Sequence, residues 1–316
     1  MVKRRRMPEW SIVVIALLIV VLARGAISVA RNWQEGDDGG TVSGNTNPTT
    51  EDLSSDYSAP VIIGRIEDGT ITEASGLVAS RALPGVLWTH NDSGGQPVVY
   101  CIRTRGTSCG SITLTGLEAD DWEDIAIAPG DAGWDIYVAD IGDNRRRRDE
   151  VLVHRVPEPS SVGGDASIDP ETLVLSYPDR AHDAETLLVH PETGDLYIIT
   201  KEFSSRSIVF KASAPLDADM TMERVGSITI NEFLSDRTGG DVSPDGTRVI
   251  LSTYASGYEL VLPPGAPFDD IWAQEPRRLE IGEREQGEAV TYSADGASVF
   301  ATSEGRNPPL YRIDRR

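Results

Sequence analysis

The chain has 316 residues, of which 39% are hydrophobic and 6% aromatic, and it carries 29 basic against 50 acidic side chains for a formal charge of −21. That length suits one or two ordinary domains. So acidic a surface repels nucleic acid and anionic lipid, whose recognition needs basic patches, and it attracts cations.

The basic residues are unevenly placed. Lys3, Arg4, Arg5, Arg6, Arg24 and Arg31 face a single acid, Glu9, in residues 1–31, and the rest of the chain holds 23 basic and 49 acidic residues, a balance of −26. Residues 1–9 read as a cytoplasmic basic segment. Residues 10–30 follow as WSIVVIALLIVVLA, an interrupting Arg24, and GAISVA. A basic stretch ahead of an apolar run is an export signal. The run reaches about 20 residues if Arg24 snorkels, close to the length of a spanning helix. Ser28-Val29-Ala30 has the small-x-small form of a cleavage site, so a cleaved signal peptide and a retained signal anchor compete. The anchor is favoured because residues 31–60, rich in Gly, Ser, Thr, Asn and Asp, have too few aliphatic side chains to bury a core and read as a flexible linker. With the basic end in the cytoplasm, residues 61–316 lie outside a single-pass cell-membrane anchor, or are secreted if that anchor is cleaved.

From residue 61 onward there is no sustained helical period. β-branched and aromatic runs alternate instead with Gly, Pro, Asp and Asn turns. The runs group by fours. The first blade takes 75–79, 86–90, 98–102 and 111–115; the second takes 124–128, 136–140, 151–156 and 172–177. The third takes 186–190, 196–200, 207–212 and 224–230, and the fourth 240–244, 248–253, 258–262 and 277–281. The fifth has only 288–293, 298–303 and 310–314, and residues 61–68 supply its missing strand. Each group opens near an acid: Glu73, Glu123, Glu185, Asp241 and Glu288, spaced by 50, 62, 56 and 47 residues. Strand-only repeats of this size predict an all-β chain folded as a β-propeller of five four-stranded blades, closed by an N-terminal strand. Six blades is the alternative, because residues 158–171 form a long insertion. The turns PETG (191–194), SPDG (243–246) and SADG (293–296) supply the glycine that tight hairpins require.

Innermost strands line a propeller's channel, so the five opening acids are expected at one depth. The second strands end near the same rim in HNDSG, DIGDN, TKE, TY and SEG. Together they bring Glu73, Asp92, Asp121, Glu123, Asp140, Asp143, Glu185, Glu202, Asp241, Glu288 and Glu304 toward one opening. Carboxylates so crowded raise one another's pKa or recruit cations. Oxygen-rich, flexible sites suit Ca²⁺, and the scarcity of His and Cys argues against zinc or copper. The expected metal set is Glu73, Asp92, Glu123, Asp140, Asp143, Glu185, Asp241, Glu288 and Glu304. The competing reading is that these acids accept backbone N–H groups and knit neighbouring blades together.

Arg145–Arg148 is either a solvated loop balancing nearby acids or a phosphate clamp, with Arg145, Arg146 and Lys201 as its cations. Cys101 and Cys109 stand in one hairpin-like stretch, and outside the membrane that spacing allows a disulfide. His90, His154, His182 and His190 are scattered and read as structural. Trp88 and Trp122 read as packing, with pocket lining as the other reading. No nucleophile elbow, metalloprotease helix or P-loop motif is present.

The SPDG-type hairpins resemble WD40-like and TolB-like propeller repeats. The order EASGL, NDSG, WED, IYVADIGDN, AET, IITKE, GEA and SEG is similar to bacterial propellers of the phytase-like esterase group. It resembles more loosely the calcium-activated nucleotidases of the apyrase type. The second resemblance implies a five-bladed ring, Ca²⁺ in the central channel and an N-terminal anchor. Two functions therefore stand: a binding or scaffold propeller, Ca²⁺-stabilised, and a metal-dependent hydrolase of phosphate or other esters. The first is favoured. Its partner is a small molecule or a protein, with the membrane reached only through the N-terminal helix.

Overall fold

The computed structural model describes residues 52–92, 94–202, 205–231 and 236–316. Residues 10–30 lie outside these, as do residues 31–51 of the expected linker. Among the described residues no helix is long and apolar enough to cross a membrane.

The chain opens with β1 (Val61–Arg65), β2 (Ala74–Ala79), β3 (Val86–Asn91), β4 (Val98–Arg103) and β5 (Ser108–Leu114). Then come β6 (Trp122–Gly130), β7 (Gly133–Asp140), β8 (Glu150–Pro157), β9 (Gly164–Ile168) and β10 (Glu171–Ser176). β11 (Ala184–Val189), β12 (Leu196–Thr200), β13 (Arg206–Ala212), β14 (Asp219–Thr221) and β15 (Glu223–Thr229) follow. The last are β16 (Arg237–Val242), β17 (Arg248–Thr253), β18 (Gly257–Val261), β19 (Arg277–Leu279), β20 (Gly287–Tyr292), β21 (Ser298–Ser303) and β22 (Pro309–Asp314). They form five sheets with inner strands β2, β6, β11, β16 and β20. β1 pairs antiparallel with β22 as the outer strand of the last sheet, so the first and last strands meet in one blade. The protein is a five-bladed β-propeller, and each blade is the four-strand group expected from the sequence.

Because each blade is covered on both faces, its middle strands read as unbroken apolar runs. In β12, Leu196 and Ile198 pack toward the second blade while Tyr197 and Ile199 pack toward the fourth. Each of the five blade junctions has its own apolar cluster. The hairpin glycines Gly194, Gly246 and Gly296 have φ of 74°, 68° and 68°, the left-handed region that glycine enters without strain.

β9 and β14 were not expected. Each lies between the third and fourth strands of its blade and pairs in parallel with the outer strand of the preceding blade, β9 on β5 and β14 on β10. The same connection in the fourth blade is a short 3₁₀ helix, Phe268–Ala273, whose Trp272 seats against Gly226 of β15. A Cβ on Gly226 would fall 2.6 Å from the Trp272 Cβ, so the close approach requires glycine there. In the first blade the turn after β4 does the work, with Gly106 O accepting the N–H of Glu67. Every blade thus lays a strap over its predecessor's outer edge. These straps cover sheet edges that would otherwise be open to pairing.

The fifth strap is the chain ahead of β1. Asp52 bridges to Arg278 of β19, and the Leu53 N–H donates to Arg278 O. Leu53 and Tyr57 are 0% and 2% exposed in the cluster between blades four and five. The folded unit therefore includes residues 52–58, which the sequence assigns to the linker; two apolar side chains among five polar neighbours are too sparse a signal to show it. Tyr57 Oη donates to Glu259 Oε1 at 2.6 Å, Tyr292 Oη donates to the same oxygen at 2.8 Å, and Arg248 lies 3.7 Å away.

Tyr57→Phe removes one donor from this buried carboxylate, and chemical denaturation should show a loss of about 1–3 kcal/mol. An unchanged midpoint would mean that the Tyr57 hydroxyl adds no stability.

Candidate functional site

Each inner strand carries a β-bulge near its start. The pairing jumps between Ala74 and Leu77, Trp122 and Asp124, Ala184 and Thr186, Arg237 and Gly239, and Gly287 and Val290. A bulge re-aims the extra side chain. Matching the five bulges places Ser75, Glu123, Glu185, Thr238 and Glu288 at one level around the axis. All five are buried.

Three of the five opening acids hold that level and two do not. Glu73 is exposed and stands two residues ahead of its bulge, where Ser75 occupies the ring. Asp241 stands three residues beyond Thr238. It accepts from Thr291 Oγ1 at 2.7 Å and from the Tyr292 N–H at 2.9 Å, so it joins the fourth blade to the fifth. Sequence spacing misplaced both because a bulge is defined by its partner strand.

Two further levels sit at the mouth. The residues leaving the second strands are Asp92, Ile141, Lys201, Tyr254 and Glu304. Those two positions ahead of the bulges are Glu73, Asp121, Asp183, Asp236 and Gln286. Backbone bonds from Asp92 N to Glu73 O, Lys201 N to Asp183 O and Glu304 N to Gln286 O tie the two levels together.

Most of these acids have protein partners. Glu288 accepts from Gln286 Nε2 at 3.2 Å and from Ser75 Oγ at 3.3 Å. Glu185 accepts from Lys201 Nζ, which also reaches Tyr254 Oη at 3.1 Å. Asp140 accepts the N–H groups of Asp120 and Asp121 and pairs with Arg148 at 2.6 Å. Asp143 caps its own loop by accepting the N–H groups of Arg147 and Arg148. Asp140 and Asp143 thus shape the DIGDN loop. Arg146 pairs with Glu202 at 2.9 Å, while Arg145 is exposed. Cys101 and Cys109 are disulfide-bonded away from the mouth, between β4 and β5. Trp88 and Trp122 are both buried in the cluster between the first two blades.

Glu123 differs from all of these. It is 4% exposed, and among the described residues its carboxylate accepts no hydrogen bond. Asp92, Asp121 and Glu123 instead place one ligand oxygen each within 4.8 Å of one another. Ca²⁺ with oxygens at about 2.4 Å spans that distance. Gly142 makes the arrangement fit, because a Cβ there would fall 2.2 Å from Glu123 Oε1.

Asp124, the next residue, was missed by the sequence reading. It is 1% exposed, and it accepts the N–H groups of Ile125, Leu187 and Gly240 at 2.8, 2.9 and 3.2 Å. It therefore bonds three blades beneath the ring. The adjacent acids of WED were its one visible signal, since neighbouring strand residues point opposite ways.

Burial and crowding hold protons on the mouth. Burial raises the Glu123 carboxyl well above the ordinary range, and Glu185, Asp92 and Asp121 add to the shift. Burial, then Glu304, pushes Glu288 up to about 8. Burial, then Asp92 and Glu73, pushes Glu304 up to about 8. Burial, then Asp92 and Asp183, brings Asp121 to about 6. Lys201 is raised despite burial, because Glu185 and Tyr254 favour its ammonium form.

No protein-family model matches the chain, and no curated protein matches it. Among solved structures it is similar to hydrazine synthase of Kuenenia stuttgartiensis, at 14% identity and a TM-score of 0.39, over 77% of this chain and 71% of that one. At that likeness the propeller assignment rests on this chain's own strand pairing.

Carboxyls whose folded pKa is raised contribute stability that is fully present below their unfolded values, near 4.3 for Glu, and lost as pH rises through the folded values. Glu288 and Glu304 set that window from about 4.5 to about 8. In EDTA, melting temperature should fall by several degrees between pH 5.5 and 8.5. Glu288→Gln with Glu304→Gln should flatten the fall, and an equally steep profile in that double variant would contradict the assignment.

Proposed function

We propose that the protein is a membrane-anchored, extracytoplasmic binding propeller whose mouth holds Ca²⁺ between Asp92, Asp121 and Glu123. The five-bladed ring supports a binding or scaffold module in general, because a propeller presents one loop-rich mouth to a partner. The observation that carries the Ca²⁺ reading is the buried Glu123 carboxylate, which has no hydrogen-bond donor and faces two more acids. A buried carboxyl without a donor either keeps its proton or coordinates a metal, and three such groups together favour the metal. Hard oxygen donors select Ca²⁺ over softer ions. This agrees with the Ca²⁺ implied by the resemblance to the nucleotidases.

A bound ion would tie blade one, through Asp92, to blade two, through Asp121 and Glu123. It would also present open coordination positions to a ligand at the mouth. The phosphate-ester alternative needs cations able to turn to a substrate. Arg146 and Lys201 are engaged by Glu202 and Glu185, which favours binding over ester hydrolysis. The anchor rests on residues 1–30 and the acidic surface beyond them. Cleavage of that segment would give the same module in secreted form.

The test is thermal melting of the full chain in EDTA and in Ca²⁺. At free Ca²⁺ of about 100 times the dissociation constant, stabilisation should reach about 2.7 kcal/mol. Glu123→Gln should abolish the shift while leaving the metal-free protein folded. No shift in the wild-type chain would remove the Ca²⁺ reading.

A further inference from the structure

The blade next to Glu123 already holds a cation. Lys201 leaves β12 at the position filled elsewhere by Asp92, Ile141, Tyr254 and Glu304. Its Nζ donates to the Glu185 carboxylate and to Tyr254 Oη, and it lies 5.6 Å from the centre of the Tyr254 ring. A carboxylate and an aromatic ring are the groups that receive a compact ammonium. The charge is felt widely, since it lowers the proton affinity of Glu123, Glu288, Glu304, Asp183 and Asp236.

The ammonium leaves one oxygen of its carboxylate unused. Glu185 is 5% exposed, and its second oxygen, Oε2, is buried with no hydrogen-bond partner among the described residues. Glu288 stands near enough to act on it electrostatically, and Thr238 lies between the two in the ring. A buried carboxylate oxygen without a donor can serve as a ligand to a metal ion.

We infer that Lys201 is an internal cation: its ammonium fills a second cation position, formed by Glu185, Glu288 and Tyr254, and thereby limits the mouth to one metal ion. The count of one rests on the proposed Ca²⁺ site at Asp92, Asp121 and Glu123; the identity of the second position does not. Two divalent ions in one ring would repel each other strongly at short range, and a single fixed positive charge halves that repulsion. The tethered charge also survives chelation, so part of the ring stays neutralised without metal. Lys201 thereby sets both stoichiometry and the residual charge that a ligand meets.

Calorimetric titration of the full chain with CaCl₂ tests this, using wild type, Lys201→Met, and the double variant Lys201→Met with Glu185→Gln. The expected result is one Ca²⁺ in wild type, two in Lys201→Met and one in the double variant. One ion in both wild type and Lys201→Met would overturn the inference and leave the first site standing. Two ions in wild type would overturn it as well. No ion in wild type but one in Lys201→Met would remove the first site and uphold the inference. None in any form would remove both. If Lys201→Met unfolds in EDTA, the readout is its circular dichroism: recovery in millimolar Ca²⁺ supports the second position, and failure to recover, with the double variant folded, overturns it.

Discussion

The mouth of this propeller depends on one backbone irregularity repeated five times. A regular strand would turn alternate side chains into the blade junctions. The bulge at the start of each inner strand frees one extra residue to face the axis. The chain fills those positions with Ser, Glu, Glu, Thr and Glu. Two hydroxyls among three carboxylates keep the ring from carrying five like charges at one level. Directly beneath, Gly76 and Gly239 leave the room in which Asp124 binds the amides of neighbouring blades.

The crowded acids are stabilised in three different ways. Asp140, Asp143 and Asp241 accept backbone or hydroxyl donors and act as joints of the fold. Glu185 takes a lysine, and Glu288 takes an amide and a hydroxyl. Glu123 takes neither, and its neighbours Asp92 and Asp121 are acids too. The two readings of the sequence, metal ligands and inter-blade joints, thus divide among different residues. That division follows from which carboxylates the loops can reach with donors, which in turn follows from where each bulge falls.

Much of the fold was legible because it is written in short-range patterns. Short β-branched and apolar runs mark the strands of the five blades, and Asp-Gly or Thr-Gly turns join the first two strands of three of them. The closing role of residues 61–65 followed from counting. Pairing-dependent features were not legible. Glu73 and Asp241 match the ring acids in sequence, yet their register puts Ser75 and Thr238 in the ring instead. β9, β14 and the strap at 52–58 carry weak strand signals and form because a neighbouring blade offers an edge. Asp124 was hidden because its one local signal, a second acid beside Glu123, does not tell an acid that faces solvent from one that faces three amides.

Ring closure and the mouth are linked through the same blades. The last blade is shared by the first and last strands, and it also supplies Glu288 and Glu304. The direct test of the central claim is anomalous diffraction from crystals of the Ca²⁺-loaded protein. The account predicts a peak between Asp92, Asp121 and Glu123, with ligand oxygens at about 2.3–2.6 Å. A mouth without a peak, or peaks confined to exposed carboxylates elsewhere, would contradict it.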